Sequence, residues 1–109
     1  MAASSEERPR GVAYLASYCE PAAAAHEALR KAVLNSGPLD LQTCELIVLA
    51  GFVITGVEFS FKAHAKRLLR HGTSKDALRQ AVLVTFGSTA PFPAVVQALR
   101  WIDDVDEAS

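Results

Sequence analysis

Residues 46–57 read LIVLAGFVITGV, twelve uncharged residues in a row, bracketed by Glu45 and Glu58. Whether this run is a strand, a membrane span or a buried helix decides the fold. A spanning helix needs roughly 20 apolar residues, so the run is too short to cross a bilayer. Val53, Ile54, Thr55 and Val57 lean towards strand, because branching at Cβ restricts χ1 in a helix. The flanking periodicity favours helix. Upstream, Leu41, Cys44, Ile47 and Val48 recur at helical spacing; downstream, Phe61, Ala65, Leu68 and Leu69 fall on one stripe. We read two helices that break within residues 51–56, the first capped by Asp40 and the second by Thr55.

Working outward, residues 21–34, PAAAAHEALRKAVL, combine strong helix formers with a proline suited to a first turn. They stop at Asn35-Ser36-Gly37-Pro38, whose residues are helix terminators and turn formers. Gly72 reads as the C-terminal cap of the helix that follows Glu58. Thr73 or Ser74 opens another helix through Leu78, Ala81 and Val82 towards Phe86, with Asp76 favourably placed in its first turn. Residues 87–93 form a turn. A last helix runs from about 92 to 103 with Val95, Val96, Leu99 and Ile102 as its apolar face, and the acidic residues after it mark its exit. The sum is five helices in an all-α domain over residues 12–109, preceded by a flexible tail over residues 1–11.

The chain has 109 residues, half of them apolar, with 11 Lys plus Arg against 12 Asp plus Glu. A net charge of -1 offers no field to gather nucleic acid, so no nucleic-acid partner is expected. So high an apolar fraction in so short a chain implies that partner subunits cover part of the surface. Cys19 and Cys44 stand in no metal or redox spacing, which argues against a disulfide-stapled secreted scaffold. The opening MAASSEERPRG has no apolar stretch behind its charges and does not read as a signal peptide. A cytoplasmic protein without membrane association is expected.

Chemistry is sought among polar groups set in apolar sequence, since burying them is costly unless they are satisfied. Glu45 either faces solvent near the start of its helix or points inward with a partner. Ser60, His64 and Arg67 follow at spacings of four and three, one helical face, so a hydroxyl and an imidazole are neighbours. Such a pair fits nucleophilic catalysis, and equally a satisfied structural histidine. No metal site is expected, because His26, His64 and His71 follow no ligand motif. Residues 62–79 carry six cations and one acid, net +5, against -6 for the rest of the chain. That stripe is most often a solvated face; its other readings are a guide for a small anion and, with no aromatic interleaving to favour it, a nucleic-acid contact.

The order of these features, with 19 residues from Glu45 to His64, the segment HGTSKDALRQAV and the 87–93 turn, resembles the carboxymuconolactone decarboxylase family and its alkylhydroperoxidase D-like members. The resemblance spans roughly residues 20–105. It implies an alkylhydroperoxidase D-like antiparallel helical bundle, assembled as a homo-oligomer, a trimer or hexamer. The redox branch of the family places a CxxC pair where this chain has Val57 and Ser60, and neither residue can form the disulfide that peroxide reduction requires. The decarboxylase branch lacks that pair, though it usually carries a glutamate at the position of Ser60. Membership implies His64 as the proton-transfer residue, Glu45 as its orienting partner, Ser60 beside them, Arg67 or Lys62 as holder of a substrate carboxylate, and no cofactor. The leading expectation is a decarboxylase or related lyase on a small carboxylated lactone. The alternatives are a non-catalytic oligomer that binds a small ligand and, further off, a thiol peroxidase using Cys19 or Cys44.

Overall fold

Six α-helices and no strand make up the described residues. A computed structural model describes residues 11–105; the expected tail, apart from Gly11, lies outside them. The chain divides into two compact units, one ending at Pro38 and the other beginning at Leu39.

The first unit is a helical hairpin. Helix α1 (Val12–Tyr18) has no counterpart among the expected helices, and no side chain caps its N-terminus. Its Tyr14 and Tyr18 meet edge to face at 5.3 Å. Cys19, in extended conformation, ends α1 and starts α2 (Glu20–Leu34), with Pro21 in the first turn as its fixed φ favours. Ala23 is the one buried residue of the two helices.

The second unit holds the core. Helix α3 (Leu41–Thr55) begins at Asp40, whose Oδ1 accepts the N–H of Thr43 at 2.7 Å. Thr43, through its side chain first and its backbone second, holds the Asp40 carboxyl below its usual range. A lowered folded value means that the cap's contribution is complete above the unfolded value of about 3.9 and fades as pH falls below it. Gly51 does not interrupt α3. The break comes at Gly56, whose left-handed φ of 71° ends the helix, and Val57, in extended conformation, precedes α4 (Glu58–Arg70). Thr55 is therefore the last residue of α3 and not the cap of α4.

Helix α4 ends in a Schellman motif. Thr73 N–H donates to Leu68 C=O at 3.0 Å and Gly72 N–H to Leu69 C=O at 3.1 Å, with Gly72 at φ 97°. Of the two cap candidates for α5 (Lys75–Leu83), Ser74 takes the role, its Oγ accepting Ala77 N–H at 3.0 Å. Ser74→Ala should lower unfolding free energy by about 1 kcal/mol, read as a lower urea midpoint at unchanged m-value. The helix stops at Leu83, short of Phe86. The Thr85 carbonyl accepts the N–H groups of Ser88, Thr89 and Ala90 and winds the chain into a tight loop before α6 (Phe92–Asp104).

Leu49 and Val53 of α3, Phe61, Ala65 and Leu68 of α4, Leu78 and Val82 of α5, and Val95, Ala98, Trp101 and Ile102 of α6 form the core. Helix α3 is apolar nearly all round: Glu45 is its single charge, yet Ile47 and Ile54 stand half-exposed. No helix among the described residues is long and apolar enough to cross a membrane.

Candidate active site

Glu45, Leu49 and Val53 are the buried residues of α3, spaced four apart, so one stripe of the helix faces the core. Of the two readings of Glu45, the inward one holds. Helix α3 starts at Leu41, which puts Glu45 a full turn in, and it is 4% exposed. A carboxylate buried to that degree is costly unless charged or polar partners satisfy it.

Helix α4 supplies both partners. Its core stripe runs through Phe61, Ala65 and Leu68; His64 lies at the edge of that stripe, and Arg67 lies one step further towards solvent. His64 Nδ1 lies 2.8 Å from Glu45 Oε2, and Arg67 Nη1 donates to Glu45 Oε1 at 3.4 Å. A carboxylate in its ionised form only accepts, so with Glu45 as acceptor the proton of this hydrogen bond is on Nδ1 and Nε2 is left as the imidazole's second nitrogen. Both carboxylate oxygens are engaged, one on each cation-forming group. The His64 side chain is 17% exposed and that of Arg67 48%. Charge thus grades outward from a buried carboxylate through a mostly covered imidazole to a half-exposed guanidinium.

Phe52 is the residue that sequence reasoning missed. Its ring packs on His64 with centroids 5.3 Å apart and planes tilted by 36°. The signal was available, because Phe52 lies seven residues after Glu45 and so on the same side of α3 two turns on. Glu45 fixes the imidazole at Nδ1, and Phe52 fixes the plane of its ring.

Ser60 lies one turn before His64 on the same face of α4 and is partly buried. Lys62 is not brought to this group. Two residues on from Ser60 is about 200° around a helix, and its ammonium is held by Glu58 Oε2 at 2.7 Å and Asp104 Oδ2 at 3.4 Å. The hydrogen bond it donates to Glu58 is the main reason its pKa stands above the usual lysine value, against the opposing effect of desolvation. Cys44 turns its thiol to the Leu39 carbonyl at 3.8 Å, and Cys19 is exposed between α1 and α2. Among the described residues no three of His, Cys, Asp and Glu gather as a metal site. A hollow of about 510 Å³ elsewhere, lined by Thr73, Ser74, Lys75, Asp103 and Asp104, contains none of the predicted site residues.

The arrangement can hold an imidazole in one tautomer, present its Nε2 for proton transfer, and offer a guanidinium to an anion beside it. Comparison with curated proteins and with solved structures gives no match. Comparison with family descriptions gives one, the carboxymuconolactone decarboxylase family, matching residues 20–104.

Proposed function

Because the chain belongs to the carboxymuconolactone decarboxylase family, we propose that it is a cofactor-independent carboxy-lyase acting on a small carboxylated lactone, with His64 moving the proton. The observation that carries this reading is the 2.8 Å bond from His64 Nδ1 to the buried Glu45, which leaves Nε2 to serve substrate. The bond from the ring carbon to the departing carboxylate breaks, carbon dioxide leaves, and the electron pair delocalises towards the lactone carbonyl. Protonated His64 then delivers its Nε2 proton to the carbon end of that conjugated system.

Glu45 orients the imidazole through its bond to Nδ1. Arg67 holds a carboxylate that stays on the product, since a guanidinium stabilises a carboxylate more than the neutral carbon dioxide it would become. Ser60 contacts the bound lactone from the preceding turn. Lys62, tied to Glu58 and Asp104, buttresses α4 against α6 and leaves the substrate to Arg67. Val57 and Ser60 at the thiol positions of the redox branch favour this chemistry over peroxide reduction. The uncovered Ile47 and Ile54 on the apolar α3 support a homo-oligomer, for which the family likeness suggests a trimer or hexamer.

Incubation with carboxymuconolactone, following carbon dioxide release together with loss of the lactone, tests the reading. Coupled release is expected. Saturable lactone binding with no carbon dioxide formed would overturn it in favour of a non-catalytic ligand-binding protein.

A further inference from the structure

We propose that the Glu45–His64–Arg67 group binds a carboxylate anion together with a proton, so that occupation of Arg67 by the anion charges His64. The proposal rests on the assignment of Arg67 as carboxylate holder and adds to it a coupling between anion and proton.

Charge balance in a partly buried site drives the coupling. Glu45 and Arg67 sum to zero, so the site is neutral while the imidazole is neutral and becomes +1 when His64 is protonated. A single carboxylate on Arg67 reverses this: the site is then -1 with neutral imidazole and zero with imidazolium. Water screens such differences on an open surface, but the Glu45 side chain is 5% exposed and that of His64 17%, where screening is weaker. The geometry points the same way. Arg67 holds Glu45 at 3.4 Å, a long contact, against 2.8 Å for His64. A guanidinium so loosely tied and half in water can turn its free N–H groups to an incoming anion, leaving the buried carboxylate to the imidazole alone.

Other charges near His64 are already committed or lie elsewhere. Glu45 is the single charged residue of α3. On α6, the other helix packed against α4, Asp104 is on Lys62, Asp103 is 3.5 Å from Arg79, and Arg100 lines a separate groove with Glu58. On α4 itself, Lys66 and Arg70 project from other sides of the helix, and His71 is exposed at its C-terminal cap, two turns away.

The coupling must be reciprocal, because anion and proton share one thermodynamic cycle. If the anion favours protonation, protonation favours the anion by the same factor. It also readies the site for the proposed reaction, since the substrate's own carboxylate would charge the imidazole that must later give a proton.

Formate is a suitable probe, being ionised across the histidine range and carrying no lactone. Its affinity is measured by NMR, from the His64 ring and Arg67 Nε–H signals, at about pH 5.5 and about pH 8 with ionic strength held constant by chloride. Wild type should bind formate about three- to tenfold more tightly at the lower pH. Glu45→Gln should bind it comparably at both, because without the buried carboxylate the anion is balanced by Arg67 alone. Arg67→Gln should lose the response. Equal wild-type affinity at the two pH values, absence of formate binding, or an Arg67→Gln protein with undiminished pH dependence would each overturn the coupling. None of these readouts requires turnover, so failure of the lyase assay and failure of the coupling are separate results.

Discussion

His64→Gln lowers kcat for carbon dioxide release from carboxymuconolactone by about 10²- to 10⁴-fold, the range associated with loss of a positioned acid–base group, while the far-UV spectrum and unfolding midpoint stay close to wild type. Glutamine is the informative replacement because its amide can still donate to Glu45 Oε2, the acceptor that His64 Nδ1 serves at 2.8 Å. Alanine would leave that acceptor of a 4% exposed carboxylate without a partner, a change that costs about 1–3 kcal/mol and would blur chemistry with stability. A glutamine variant retaining more than about a tenth of wild-type turnover would remove His64 from the proton transfer. KM should move less than kcat, since the substrate carboxylate is assigned to Arg67.

Phe61→Ala produces the largest loss of stability, about 3–5 kcal/mol. Phe61 is fully buried on the inward stripe of α4, its ring centroid 5.3 Å from that of Trp101 on α6, with Leu49 and Val53 of α3 in the same cluster. Truncation removes the ring's burial and opens a cavity among three helices. Against total stabilities of about 5–15 kcal/mol, a loss of this size approaches global unfolding at physiological temperature. Urea denaturation checks it, and a loss under about 1.5 kcal/mol would mean that the core closes over the gap. Because Phe61 lies one turn before His64 on α4, activity should fall with temperature earlier than in wild type.

Where helix ends carry side-chain chemistry, the sequence is readable. Asp40 and Ser74 mark the starts of α3 and α5, and Gly72 marks the end of α4. Helix α1 is seven residues long and starts without a side-chain cap, so its local pattern carries no opening signal. The α3–α4 break falls at the far end of the expected interval, residues 51–56: a mid-helix glycine and a helix-ending one look alike in sequence, and of Gly51 and Gly56 only the second turns left-handed.

The site was half legible. Ser60, His64 and Arg67 share a face by spacing alone, whereas the direction of Glu45 depends on seeing that it heads the Leu49 and Val53 stripe. A carboxylate at the end of an apolar stripe ordinarily marks where the helix meets water. Here the decisive fact is the partner opposite, and its arrival depends on how α3 and α4 dock. The ion pair from Lys62 to Asp104 is non-local in the same way, joining residues 42 positions apart through the packing of α6 on α4.

The buried carboxylate also constrains how such a chain can change over generations. A lineage that no longer needed proton transfer would not be free to discard His64, since most replacements strand Glu45 in the core, and discarding Glu45 first leaves the imidazole without its anchor. Only joint or carefully ordered replacement keeps the protein folded at every step. Selection for a stable bundle therefore preserves the Glu45–His64 pair even in a descendant that has stopped turning over substrate. Arg67, the exposed member of the group, is under no such constraint from the fold.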